Sequence, residues 1–155
     1  MEFAFHLADE AQTLRLGEIL ARHRPRQAVI YLHGELGAGK TTLSRGFIHA
    51  CGFAGKVKSP TYTLMESYPL DDGVIHHLDL YRLTDPEELA YLGIDALDAD
   101  RAIVLVEWPE RGAGALPDPD VTLTLRHEKA GRHLVAEPHR EDLQAWIEDA
   151  HSHFA

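Results

Sequence analysis

The sequence predicts an α/β domain, with a mostly parallel central sheet flanked by helices and antiparallel strands at its edges. Three observations carry this. Residues 28–32 and 102–106 are short, continuous apolar runs rich in β-branched side chains, the composition of strands buried on both faces. Segments with helical start and stop signals are interleaved with them, the pattern of α/β folds. Two further pairs of strand-like runs are joined by short turn sequences, which suits hairpins at a sheet edge.

Taken in order, residues 2–7 alternate Phe3, Phe5 and Leu7 with other residues, as a strand does. Asp9 can cap a helix, with Gln12 three residues on as in a capping box and Leu16, Ile19 and Leu20 along one face. Pro25 ends that element. The run 28–32 is the first central strand. Residues 34–39 are loop, and 40–51 read as a helix stopped by Gly52. The runs 61–68 and 74–78 flank Asp71-Asp72-Gly73 and predict a hairpin. Asp85-Pro86-Glu87-Glu88 opens another helix, with Pro just inside its start. The run 102–106 is the second central strand. Residues 121–126 and 132–137 pair around Lys129-Ala130-Gly131, and 141–151 form a terminal helix carrying Leu143, Trp146 and Ile147. No repeat and no linker divides the chain, so residues 1–155 read as a single domain.

Composition narrows the function. The 155 residues are 45% hydrophobic and 26% charged, which excludes a disordered chain. Such a length buries roughly 70% of the surface of the unfolded form, enough for a core without staples. The 25 acidic and 15 basic residues give a net charge of −10, against a chain that grips nucleic acid unaided. The one cysteine, Cys51, excludes an intrachain disulfide and a Cys-based zinc site. No apolar run approaches membrane-spanning length, and the first ten residues lack a basic, apolar export signal, so a cytoplasmic chain with no membrane association is expected. The charge is uneven. Residues 22–58 hold seven basic groups (Arg22, Arg24, Arg26, Lys40, Arg45, Lys56, Lys58) against the single acid Glu35. Segmental imbalance of this kind marks either a polyanion contact or separate solvated side chains.

The segment Gly34-Glu35-Leu36-Gly37-Ala38-Gly39-Lys40-Thr41 fits G-x-x-x-x-G-K-(S/T), the phosphate-binding loop, and it lies between an apolar strand and a helix. A chance match is expected in roughly one of 200 chains of this length. The physics requires these residue types. Glycines let the backbone wrap a phosphate with its N–H groups pointing inward. The helix start adds partial positive charge. Lys40 brings a full charge to the β- and γ-phosphates, and the Thr41 hydroxyl can ligate Mg²⁺. The chain is therefore expected to bind a nucleotide, in a P-loop NTPase-like domain.

Such a site needs an acid at the end of a neighbouring buried strand. Ile103-Val104-Leu105-Val106 leads into Glu107, with Trp108-Pro109 breaking the strand beyond it. Asp79, after the run 74–78, is the competitor. The more apolar strand is the expected partner of the phosphate-loop strand, so Glu107 is assigned to the metal. Asp79 then orients or deprotonates the attacking water, or supports a neighbour by a hydrogen bond. Ser59-Pro60-Thr61-Tyr62-Thr63 stands where nucleotide switches carry a γ-phosphate-sensing loop. The guanine-selecting N-K-x-D segment does not occur, which favours ATP. Among eleven histidines, His76-His77 and His151-x-His153 lack partners at zinc-like spacing and read as strand and tail residues. Arg45 and Arg82 are candidates for stabilising phosphate charge or for ordinary ion pairs.

In order along the chain, Gly34-Glu-Leu-Gly-Ala-Gly-Lys-Thr-Thr42, Val57-Lys-Ser-Pro-Thr-Tyr-Thr-Leu64, His77-Leu-Asp-Leu-Tyr-Arg-Leu83, Asp85-Pro-Glu-Glu-Leu89 and Val106-Glu-Trp-Pro109 resemble the TsaE (YjeE) family. These are small bacterial P-loop ATPases needed to make threonylcarbamoyladenosine in tRNA. The resemblance runs from about Asp9 to Arg132. It implies a MgATP-hydrolysing component, weak alone, that acts with the TsaB–TsaD pair and meets tRNA through that complex. It also implies Mg²⁺ on Thr41 and Glu107, and catalytic roles for Lys40, Thr42 and Asp79. Nucleotide contacts are implied at Gly34, Leu36, Gly37, Ala38, Gly39, Lys40, Thr41, Thr42 and Trp108, with adenine near Thr13 and Arg132. One position departs from the commonest pattern: Glu35 stands where Asp is also familiar. The rival reading is a small-molecule phosphotransferase on the same loop, which would need an acceptor pocket and an arginine-bearing lid.

Overall fold

The computed structural model describes residues 1–94, 97 and 100–154. Its elements are β1 (Phe3–Leu7), α1 (Glu10–Arg22), β2 (Ala28–His33), α2 (Lys40–Ala50), β3 (Met65–Leu70), β4 (Gly73–Asp79), β5 (Ala102–Glu107), β6 (Val121–Glu128), β7 (Gly131–Pro138) and α3 (Glu141–Phe154). The strands form one seven-stranded sheet in the order β1-β7-β6-β2-β5-β4-β3. The central pairs β6–β2, β2–β5 and β5–β4 are parallel, whereas β3, β7 and β1 join antiparallel at the two sides. This is the predicted sheet.

Burial explains why the central strands read as continuous apolar runs. Ala28, Ile30 and Leu32 of β2, with Ile103 and Leu105 of β5, pack in one cluster with Leu16, Leu20, Leu43, Phe47 and Trp146 of the three helices. The alternate residues Val29, Val104 and Val106 pack on the other face with Leu78, Leu80, Leu89 and Ile94. Both faces are therefore dry. All three α-helices contribute to the first cluster, and the second is closed by short turns. The helix expected after Asp85 is a 3₁₀ segment, Pro86–Leu92, with the capping box Asp85/Glu88 and a left-handed stop at Gly93. Only Leu89 of that segment is buried, so too little apolar surface supports a longer helix.

Other boundaries moved for local reasons. The strand expected from residue 61 starts at Met65, because Leu64 is left-handed (φ 67°) and its N–H closes a turn on the Pro60 carbonyl at 2.9 Å. At α1, the Asp9 carboxylate accepts from the Gln12 N–H at 2.9 Å, while the Gln12 side chain accepts from Ala8 N–H, one residue short of a full capping box. Cys51 caps α2, and burial holds its thiol pKa up to about 11.

The helices α1 and α2 meet backbone to backbone. A Cβ at Gly17 would lie 2.6 Å from the Leu43 carbonyl oxygen, and one at Gly46 would lie 2.6 Å from that of Leu14. Gly46→Val is therefore expected to force the helices apart, with an overpacking cost of about 1–3 kcal/mol. For a chain of this size each kcal/mol lowers the melting temperature by roughly 2–4 °C. Thermal denaturation without ligand measures it; an unchanged transition would contradict the close contact.

Candidate functional site

The loop after β2 turns directly into α2, so the first N–H groups of the helix face the space beyond the sheet's C-terminal edge. Gly37 (φ 77°) and Gly39 (φ 109°) take left-handed backbone that L side chains avoid, and the loop depends on them. Alongside, the register aligns Leu32 with Glu107 and Glu107 with Asp79, so two carboxylates stand at adjacent strand ends beside the loop. Ligands of open α/β sheets bind at this edge.

Two adjoining cavities share Gly37, Ala38, Gly39 and Thr42. The first, about 460 Å³, is lined by Lys40, Thr41, Asp79, Glu107 and Trp108, with Leu36, Thr61, Tyr81 and Arg82 also on its wall. The second, about 340 Å³, lies between the β1–α1 junction (Ala8, Asp9, Glu10, Thr13) and the β6–β7 turn (Ala130, Gly131, Arg132). Together they form a groove with a charged end and a less charged end. Arg132 ties its two walls: one guanidinium nitrogen donates to the Gly37 carbonyl at 3.1 Å and another to that of Gly131 at 2.9 Å. Thr13 is buried, its methyl sits 3.6 Å from where a Gly39 Cβ would be, and its hydroxyl donates to the Asp9 carbonyl at 3.4 Å.

At the charged end, Lys40 is buried. Its ammonium donates to the Gly34 carbonyl and lies 3.7 Å from the centre of the Trp108 ring. Burial lowers its pKa, opposed by the nearby carboxylates of Glu107, Asp79 and Glu110. Trp108 reaches that place because the chain leaves β5 in a left-handed step (φ 57°, ψ 49°), strained for a bulky residue and of the kind that collects at binding sites. The Thr41 hydroxyl is 3.3 and 3.2 Å from the two Glu107 oxygens. Glu107 Oε2 is also 2.6 Å from His77 Nε2, and both side chains are buried. Asp79 accepts from the Tyr81 N–H at 3.0 Å; burial raises its pKa, and the Glu107 charge adds to that.

Every residue given a catalytic, nucleotide or metal role from the sequence, except Gly34, lines this groove. Gly34 lies behind the loop, in a neighbouring cavity with Trp108 and Leu125, and acts through its carbonyl on Lys40. Of the switch-like segment, Thr61 reaches the wall, while Ser59 bonds to it at 2.7 Å. Arg82 lines the groove and lies over the exposed Tyr62 ring at 4.6 Å; Arg45 instead pairs with Glu10 at 3.3 Å. His77, read only as a strand residue, proves to be part of the site. Four of the seven basic groups of residues 22–58 fall in two places: Lys40 enters the groove, whereas Arg22, Arg24 and Arg26 line a separate cleft with Arg101 at the opposite end of the sheet. There Arg24 pairs with Asp72 at 3.0 Å and Arg26 with Asp100 at 2.8 Å.

Residues 7–134 match the family model described as threonylcarbamoyl adenosine biosynthesis protein TsaE. A relative from Haemophilus influenzae, named tRNA threonylcarbamoyladenosine biosynthesis protein TsaE, is 44% identical over 83% of this chain and 85% of its own length. One of the same name from Rickettsia felis is 37% identical over 77% of this chain and 70% of its own. Among solved structures, Bacillus subtilis YdiB superimposes with a TM-score of 0.81 over 100% of this chain and 97% of that one, at 21% identity, a likeness of fold. Among the described residues no helix is long and apolar enough to cross a membrane.

Proposed function

The chain belongs to the TsaE family, of tRNA threonylcarbamoyladenosine biosynthesis, and from that premise we propose that it binds and hydrolyses MgATP in the cytoplasm as the partner of TsaB and TsaD. The observation that carries the reading is the convergence of Lys40, Thr41, Asp79 and Glu107 on one cavity whose extension is walled by Thr13 and Arg132.

The triphosphate lies at the charged end, where the loop N–H groups and the start of α2 meet its oxygens and Lys40 faces the β- and γ-phosphates. Thr42 belongs to both cavities and stands where they meet. The base occupies the second cavity, between α1 and the β6–β7 turn. Thr41 and Glu107 would hold Mg²⁺: one carboxylate and one hydroxyl, 3.2 Å apart, are the hard oxygen donors that ion takes. When bound it neutralises charge on the phosphate oxygens. Asp79 orients the attacking water and accepts its proton as the water oxygen bonds the γ-phosphorus and the bond from that phosphorus to the departing ADP breaks; its raised pKa makes it a better base than an exposed carboxylate. Trp108, beside Lys40, reports occupancy by its fluorescence.

Phosphate release separates this reading from the phosphotransferase. Slow release by the chain alone, accelerated by TsaB and TsaD, is expected; a phosphorylated metabolite formed without those proteins would overturn it. Glu107→Gln is expected to weaken analogue binding in Mg²⁺ at least tenfold (about 1.4 kcal/mol) while changing metal-free binding little. Calorimetry with and without Mg²⁺ gives both affinities, and equal losses would remove Glu107 from the metal.

A further inference from the structure

His77 stands in the middle of an apolar run and is fully buried, at 0% exposure. The β4–β5 register pairs it with Leu105 and pairs Asp79 with Glu107. Alternation along β4 then puts Ile75, His77 and Asp79 on one face. Ile75 packs in the cluster formed with α2, so that face looks toward the helix carrying Lys40 and Thr41. An apolar residue would fill such a position without desolvating a ring nitrogen. The imidazole instead keeps Nε2 2.6 Å from Glu107 Oε2, and its Nδ1 has no hydrogen-bond partner among the described residues. A carboxylate can only accept, so Nε2 carries the hydrogen and donates. The fold thus tolerates one unpaired buried atom to hold the other against Glu107.

Glu107 itself is 2% exposed, and its recorded side-chain partners are Thr41 and His77. A threonine hydroxyl that ligates a cation turns a lone pair toward it, and its hold on the carboxylate changes. The His77 contact comes from below, from a residue that does not line the cavity. It can persist with the cation present or absent.

We propose that His77 is a positioning residue: its Nε2–H holds the Glu107 carboxylate beside Thr41 in the orientation that receives the divalent cation. The inference rests on the reading of Glu107 as a Mg²⁺ ligand. Hydrogen-bond partners of metal-ligating groups typically set metal affinity by about 10–100-fold, and the same range is expected here.

The test is a Mg²⁺ titration at saturating non-hydrolysable ATP analogue, read by tryptophan fluorescence, with metal-free analogue affinity measured by calorimetry. In His77→Leu, which lacks the donor, half-saturation should move to about 10–100-fold higher Mg²⁺, with metal-free affinity within twofold of wild type. His77→Gln, whose amide nitrogen can reach toward Glu107, should recover most of the loss. Should the Leu variant not fold, His77→Asn removes the donor from the Nε2 position with a polar side chain. Unchanged Mg²⁺ half-saturation in the folded donor-free variant, while Glu107→Gln shifts it, would overturn the inference alone. So would parallel losses of metal-free and Mg²⁺-dependent binding, as a general structural role predicts. A wild-type chain that binds the analogue identically with and without Mg²⁺ would overturn the metal reading and this inference with it.

Discussion

Lys40→Ala is expected to leave a folded chain that MgATP no longer stabilises. A one-site ligand at 100 times its Kd raises stability by about 2.7 kcal/mol, equivalent to about 5–10 °C at this size, and the variant should show none of it. The ammonium is held by the Gly34 carbonyl and the Trp108 ring, so it faces the cavity without searching among rotamers. It is buried and stands among Glu107, Asp79 and Glu110, which favour its charged form against the desolvation that lowers its pKa. No other basic side chain of residues 22–58 lines either cavity of the groove. Differential scanning fluorimetry with and without MgATP measures the effect. A full shift retained in the variant would remove Lys40 from phosphate binding.

Asp79→Asn is expected to lose turnover by about 10²–10⁴-fold, the usual contribution of a positioned acid or base, while nucleotide affinity survives. The same substitution should raise the melting temperature at neutral pH. Burial raises the Asp79 pKa, so the folded chain holds that proton more tightly than the unfolded one. The stability linked to it is fully present below the ordinary carboxylate pKa and is lost as pH rises through the raised value. At neutral pH the ionised carboxylate is therefore a burden on the fold. Asparagine removes the charge and still accepts from the Tyr81 N–H. Its advantage should shrink toward acid pH, and the acid limb of wild-type turnover should lie above the range of an exposed carboxylate. Melting curves and phosphate release across pH test both halves. Loss of nucleotide binding would move Asp79 to the metal or the fold.

The parts legible in the sequence are those decided within a few residues. The phosphate loop is local: glycines at two left-handed positions, a lysine and a threonine at a helix start, after a strand dry on both faces. The place of Glu107 at a buried strand end beside the loop was legible because an apolar run leads straight into that carboxylate. His77 was not, because its partner lies 30 residues away and the contact depends on strand register. The late start of β3 was equally hidden, since nothing in the segment marks Leu64 as left-handed. Nor did helical periodicity tell which face of the sheet each helix would cover. The glycine contact between α1 and α2 was hidden too, since it joins residues 29 apart in sequence.

That contact also sets a length. Thr13 sits on α1, at the far end of the groove, and Lys40 begins α2, at the near end. At Gly17 and Gly46 main chain meets main chain, so at that crossing no side-chain rotamer can lengthen or shorten the spacing. The groove is a ruler whose scale is the spacing of those two helices. In the proposed reading, the phosphates and the base of the nucleotide are held at the separation the two helices dictate. Any adjustment must come from the walls that are not helical, the segment around Thr61 and the turn carrying Arg132.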